Sequence, residues 1–254
     1  KFGGSGVGFV PFVETVSNVA LSHFDMDKWK RYTVFYDRYC NSYYGASGTV
    51  FTWSPCGNSK KDSLSADTMS NKIYALGLNF SPWSKWEKVS IMYGRSNGNC
   101  CVSVFDVKNN LVTSDTLNTA SSFALQDIDI PSAVKKIRFE FSANTKLDFY
   151  GFLFDGKKGV QVDNYGIRGH SGDGLLKINP QYFAEQFRQL KTKLIILQFG
   201  ANAVPYVKNE KECKEIEENF YRILQRCKEV APNASILLIG TGDMATRVNG
   251  EWQS

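Results

Sequence analysis

The chain has 254 residues, 43% hydrophobic and 14% aromatic, which is enough for one or two packed cores and too apolar for a disordered protein. The net charge of +5 comes from scattered residues rather than a basic tract, so we expect no nucleic-acid partner. No run approaches the ~20 apolar residues of a membrane span. With two histidines and no Cys-x-x-Cys pair, no metal site is expected.

Apolar residues recur with period two from about Tyr32 to Phe154. Ile137, Phe139 and Phe141, for example, alternate with charged residues. Similar short runs occur at Val34–Tyr36, Val50–Trp53, Ile73–Leu78, Trp86–Tyr93, Phe123–Ile130 and Leu147–Phe154. Short alternating strands separated by turn residues predict an antiparallel, jelly-roll-like β-sandwich.

The pattern changes at Gly159. We predict a short strand at Gly159–Val162 and a helix that begins at Asn179-Pro180, with Asn as the N-cap and Pro at the first helical position. Two continuous apolar runs, Leu194–Leu197 and Ile236–Ile239, are typical of buried parallel strands. Between them an amphipathic helix should follow a capping box of Asn209 and Glu212.

This β-α-β-α-β order predicts an α/β fold, a three-layer doubly wound parallel sheet that is flavodoxin-like and incomplete. The Gly-rich stretch 1–19 does not resemble a sandwich strand, so we assign it to the same α/β domain. The expected organisation is residues 1–19 and 156–254 in the α/β domain, with the β-sandwich of residues 20–155 inserted.

Ligands of open α/β sheets bind at the carboxyl ends of the strands, which here continue into two loops. The first loop contains Asn-x-Gly-x-x-Gly, ending at Gly169, and the second contains Gly200-Ala201-Asn202. These two motifs, in this order and strand context, resemble the second and third signatures of the SGNH/GDSL hydrolases. The stretch Phe2–Pro11 is similar to the segment that follows the catalytic serine in members that deacetylate glycans and carry an inserted carbohydrate-binding-module-like sandwich.

The resemblance implies a secreted carboxylic-ester hydrolase, periplasmic or extracellular, that needs no cofactor. Its partner would be an acylated polysaccharide or peptidoglycan. Gly169 and Asn202 would stabilise the oxyanion, because fixed donors aimed at the developing charge lower the barrier of acyl transfer. His170 and Gly200 are expected to contact substrate. Ala203 departs from the pattern, since many relatives carry Asp there.

The catalytic Gly-Asp-Ser and Asp-x-x-His segments of the family are not present in the sequence. The abrupt ends, Lys1 and Ser254, lead us to expect an excerpt of a longer protein, whose other segments supply the nucleophile and the base. The alternative is a non-catalytic glycan-binding or structural protein on the same scaffold. The sequence does not indicate an oligomeric state.

Several residues have a second interpretation. Asn202 can cap a helix or stabilise a turn, and the loop serines Ser5 and Ser171 are typical of turns. Sandwich aromatics can form a sugar-stacking platform or belong to the core; they are Tyr43, Tyr44, Trp53, Trp83 and Trp86. Cys40 and Cys56 flank a loop and can form a disulfide, whereas Cys213 and Cys227 are expected as buried thiols.

Overall fold

The structure, a computed structural model, describes most of the chain. The described residues are 7–11, 19–24, 29–53, 72–80, 85–96, 98–131, 136–143, 146–166, 169–201, 203, 207–241, 246–248 and 251–253. Contacts divide the chain into two compact units, Lys1–Gly166 and Ile167–Ser254.

The first unit consists of β-strands. Their bounds are β1 Gly8–Pro11, β2 Val19–Phe24, β3 Lys30–Thr33, β4 Thr49–Thr52, β5 Lys72–Phe80, β6 Lys88–Tyr93, β7 Cys100–Phe105, β8 Leu111–Leu117, β9 Ala124–Ile128, β10 Lys136–Ala143 and β11 Asp148–Asp155. They form one sheet of order β3-β4-β11-β6-β9, with β1 also paired to β11, and a second of order β2-β5-β10-β7-β8. Every pairing in both sheets is antiparallel.

The alternation of the sequence places the core between these sheets. Along β10, the side chains of Ile137, Phe139 and Phe141 are buried while the residues between them are partly exposed. They join one apolar cluster with side chains from the other sheet, including Phe149 and Phe152. The antiparallel β-sandwich expected from the period-two pattern is therefore confirmed.

Strand β11 is buried at every residue except Asp155, and β1 pairs with its edge along Gly8–Pro11. A Cβ at Gly151 would lie 2.5 Å from the Val10 carbonyl oxygen and 2.6 Å from the Phe9 ring, so only glycine permits this approach. The strand within residues 1–19 thus belongs to a sandwich sheet, although the expected division at residues 20 and 155 stays a prediction.

The second unit contains both α-helices of the described residues. Its elements are α1 Pro180–Gln189, β12 Leu194–Gln198, α2 Glu210–Val230, β13 Ser235–Ile239, β14 Thr246–Val248 and β15 Glu251–Gln253. As predicted, Asn179 caps α1 by accepting from the Tyr182 N–H at 3.0 Å, with Pro180 at the first position. Asn209 caps α2 by accepting from the Glu212 N–H at 3.1 Å.

The expected fold class, a doubly wound parallel α/β sheet, is wrong. The described strands are mostly antiparallel, and parallel pairing occurs only between β12 and β13, in register from Leu194–Ser235 to Gln198–Ile239. Two apolar runs separated by a helix correctly predict one parallel pair. They do not determine how many further strands join it, because each additional strand needs its own pattern in the sequence.

Three smaller expectations also differ. Gly159–Val162 forms only an isolated bridge rather than a strand, and Val34–Tyr36 is a turn that follows β3. On α2, Cys227 is buried as expected but Cys213 is exposed, because it lies in the first turn, ahead of the buried stripe that begins at Ile223. Neither of the described helices is long and apolar enough to cross a membrane.

Candidate functional site

The first predicted loop places Gly169 on an exposed turn of the second unit. Its φ of 83° is left-handed, a conformation that glycine adopts without strain. A Cβ at this position would meet nothing within 4 Å. Among the described residues no acceptor takes the Gly169 N–H, so this amide is available to an incoming oxygen.

His170 and Ser171 follow directly. His170 is half-buried, and burial lowers the pKa of its imidazole, with Lys177 lowering it further and Asp173 opposing. The imidazole is therefore neutral at pH 7. The Ser171 hydroxyl donates to Asp173 Oδ1 at 3.1 Å, which is the turn-stabilising role expected of a loop serine.

The second predicted loop contains Gly200 after the carboxyl end of β12. Gly200 has a left-handed φ of 116°, and a Cβ there would lie 2.7 Å from Thr241 Cγ2. The left-handed backbone and this close approach together favour glycine at this position. Asn202 lies outside the described residues, so its convergence with the Gly169 amide on one oxyanion stays a prediction.

The two loops are neighbours, although the strand expected before the first loop does not form. A Cβ at Gly172 would lie 3.0 Å from the Phe199 ring and 3.2 Å from Ile223 Cδ1. The side chain of Arg226, on α2, holds the segment between the first loop and α1 by donating to the Ile178 carbonyl at 3.1 Å. The core beneath the loops is formed by Leu197, Ile223 and Cys227.

A cleft of about 390 Å³, here called the α2 cleft, lies between both loops and the first half of α2. Its lining residues are Ser171, Gly200, Ala203, Val207, Glu212, Glu215, Ile216, Asn219 and Phe220. This volume is within the range of small-molecule sites. Sequence reasoning treated α2 only as a packing helix, because its amphipathic pattern does not distinguish a cleft-lining face from a solvated one.

The rim of this cleft is acidic. Glu212 accepts from the Lys208 N–H at 2.5 Å, so its carboxylate is already engaged in the helix cap. Glu215 approaches Lys211 at 3.9 Å in an exposed pair, which contributes little stability. Among the described residues no group of three or more His, Cys, Asp or Glu side chains is placed to hold a metal ion.

The sandwich aromatics divide into two groups. Tyr44, Trp53 and Trp86 are buried and belong to the core, whereas Tyr43 is only half-buried. Trp83 lies outside the described residues. Of the predicted platform, Tyr43 is therefore the one described residue whose side chain is not fully buried.

No family model matches the chain, and no curated protein does. A structure of a peptidoglycan O-acetylesterase is similar with a TM-score of 0.57 and 16% identity, covering 92% of this chain. The chain spans only 57% of the length of that structure. Two carbohydrate-binding modules are also similar. TmCBM61 bound to β-1,4-galactotriose has a TM-score of 0.32 and 13% identity, over 54% of this chain and 87% of its own. A family 6 module has a TM-score of 0.36 and 6% identity, over 59% and 93%.

Proposed function

We propose that the chain is part of a carboxylic-ester hydrolase of the SGNH/GDSL type that removes acyl groups, such as O-acetyl, from a glycan. The observation that carries the proposal is the Gly169 amide, which has no acceptor among the described residues and lies on an exposed loop beside the β12 loop. This is the donor that the motif assigns to the oxyanion.

The chemistry follows from what an ester needs. When a nucleophile attacks the carbonyl carbon, negative charge develops on the carbonyl oxygen, and donors must lie ~2.7–3.1 Å from it. The Gly169 N–H supplies one donor and the Asn202 side-chain amide a second. Because both are fixed before the reaction, they stabilise the transition state more than the ester itself. The α2 cleft, bordered by Ser171 and Gly200, is large enough for the acylated sugar.

The serine nucleophile, the general base and its orienting carboxylate are supplied, in this proposal, by segments outside these 254 residues. Ser171 does not fit the role of nucleophile, because its hydroxyl donates to Asp173 rather than to an imidazole. His170, with its neutral ring, contacts the substrate beside the oxyanion donor.

A second candidate is a glycan-binding protein without catalysis. The engagement of the Ser171 hydroxyl with Asp173 favours it, because this loop serine donates to a carboxylate rather than to an imidazole. Both functions place the protein in the periplasm or outside the cell. The disulfide at Cys40 supports that proposal, because disulfides persist in oxidising compartments. Cys56, its expected partner, lies outside the described residues.

The test is Asn202→Ala in the complete natural protein, assayed for acetate release from an O-acetylated glycan. Loss of one oxyanion donor should lower kcat by about 10²–10³ and leave KM nearly unchanged. Asn233→Ala is the matched control, because Asn233 lies on an exposed turn after α2 and should leave kcat unchanged. If Asn202→Ala has the kcat of the wild type, Asn202 is not an oxyanion donor and the proposal fails.

A further inference from the structure

Aromatic and basic side chains meet at one end of the sandwich, where loop 34–48, the turn after β6 and the residues before β11 come together. The Gly94 N–H donates to the Asp148 carbonyl at 2.7 Å, and the Tyr150 hydroxyl donates to the Tyr43 carbonyl at 3.4 Å. We call the side chains of Tyr39, Tyr43, Arg95, Lys146 and Asp148 the end cluster.

Arg95 is the exposed cation of this cluster. Its guanidinium carbon lies 4.5 Å from the centroid of the Tyr43 ring, and no carboxylate of the described residues pairs with it. Arg138, on β10, stacks on Phe105 in the same way at 4.6 Å, but it is also ion-paired with Glu140. The guanidinium donors of Arg95 therefore stay available to an external anion, whereas those of Arg138 are partly used.

Lys146 adds a second positive charge. It is half-buried, with its ammonium 4.9 Å from the centroid of the Tyr39 ring. Asp148, the carboxylate that acts on it among the described residues, is buried and accepts a hydrogen bond from the Tyr39 hydroxyl. Burial lowers the pKa of Lys146 and Arg95 lowers it further, against the influence of Asp148, so the two cations act on each other. An anion between them would relieve this repulsion.

The backbone holds the cluster in a strained form. Asn41 and Ser42, just before Tyr43, have left-handed φ values of 55° and 56°, which are uncommon for residues other than glycine. The Tyr43 N–H donates to the Cys40 carbonyl at 3.2 Å, and Cys40 is tethered by a disulfide. Strain of this kind occurs preferentially at ligand sites, where it fixes a side chain before binding.

We propose that the end cluster binds the carboxylate of an acidic glycan, such as a polymer of uronic acids, with Arg95 as the main ligand and Lys146 as the second cation. The planar guanidinium matches a carboxylate with two parallel hydrogen bonds. The inference rests on the proposed function in one respect, that the ligand is a glycan.

The experiment is isothermal titration calorimetry of the 254-residue chain with trigalacturonate and with galactotriose of the same α-1,4 linkage, which carries hydroxymethyl groups where trigalacturonate has carboxylates. Trigalacturonate should bind at least about tenfold more tightly, because a hydrogen bond to a charged group is worth that much or more. Arg95→Gln and Lys146→Gln should each weaken its binding about tenfold, Arg95→Lys should retain part of it, and Arg138→Gln should leave it unchanged.

Three results would overturn the inference: equal affinity for the two trisaccharides, undiminished binding by Arg95→Gln, or inorganic phosphate binding as tightly as trigalacturonate. Because Arg95 is exposed, its substitution should not disturb folding, and an unchanged melting temperature verifies this. The proposed hydrolase activity is tested separately, by acetate release. Acetate release without trigalacturonate binding refutes only this inference, and trigalacturonate binding without acetate release refutes only the hydrolase.

Discussion

Asp155 and Asp163 are two carboxylates at the end of the sandwich unit that share one side-chain amide. Gln161 Nε2 donates to Asp163 Oδ1 at 2.8 Å, and the same side chain also hydrogen-bonds Asp155. The other oxygen of Asp155, Oδ1, is buried and has no partner. Burial, and then the charge of Asp163, raise the pKa of Asp155 to about 6.

The raised pKa makes stability depend on pH at this site. Since the folded-state pKa is above the unfolded value of ~3.9, the folded state favours protonated Asp155, and its contribution to stability is lost as pH rises through about 6. Asp155→Asn mimics the protonated form. It should therefore raise the free energy of unfolding more at pH 7 than at pH 4.5, by a difference on the order of 1 kcal/mol after allowance for partial exposure.

Asp106→Asn is the control with the opposite sign, measured by urea unfolding at the same two pH values. The Asn110 side chain and backbone lower the pKa of Asp106, so its stabilising contribution is present at pH 7 and lost as pH falls. Because both pH values lie above the unfolded pKa of ~3.9, this substitution should destabilise the protein by nearly the same amount at pH 7 and at pH 4.5. A pH-independent effect of Asp155→Asn would show that its carboxyl is not perturbed.

The two loop glycines differ in what they pack against, which predicts different costs of substitution. Gly169→Ala meets only the left-handed backbone penalty, about 1 kcal/mol, because the space around it is open. Gly200→Ala adds a clash with Thr241 and should cost about 1–3 kcal/mol more. Unfolding of the second unit is measured by far-UV circular dichroism at 222 nm, since both described α-helices lie in that unit. Equal costs would contradict the packing at Gly200.

Among the elements, those fixed by local patterns are the ones the sequence predicts well. Helix α2 begins where Asn209 caps it, and the apolar runs at β12 and β13 identify a parallel pair. Pairing partners are not local. Gly8 faces Phe154 across β1 and β11, and no pattern within either segment encodes that contact. The end cluster could not be predicted from the sequence for the same reason. Its residues are distant in the chain, since Arg95 follows β6 and Tyr43 lies in loop 34–48.

The pair β12–β13 exposes an apolar surface. Its side chains are Leu194, Ile196, Leu237 and Ile239, with exposed fractions of 50%, 48%, 47% and 38%. Parallel strands are normally covered on both faces, so this surface should bind the dye ANS. Ile196→Lys should reduce ANS fluorescence with little change in melting temperature, whereas Leu197→Lys, at a buried position, should unfold the unit. Unchanged fluorescence in Ile196→Lys would contradict the exposure.

The apolar cores of the two units differ in size. The first buries an extensive cluster between its sheets, including Phe139, Phe149 and Phe152, whereas the core of the second is formed by Leu197, Ile223 and Cys227 with a few partly buried neighbours. The sequence predicted the change of architecture near Gly159 but not the small number of parallel strands. For the candidate site it predicted two neighbouring loops from strands of which the first does not form. The α2 cleft needed the structure because a helix contributes most of its lining.

The central claim, that this scaffold serves ester hydrolysis on a glycan, is tested most directly by acetate release. The complete natural protein is incubated with O-acetylated peptidoglycan and with an O-acetylated plant polysaccharide, and free acetate is measured against substrate concentration. We expect saturable release from one of them, and none from the same glycan after its ester groups have been removed by mild base. Acetate at the uncatalysed rate from both, by a protein that still binds the glycan, would contradict the hydrolase and leave the non-catalytic glycan-binding protein.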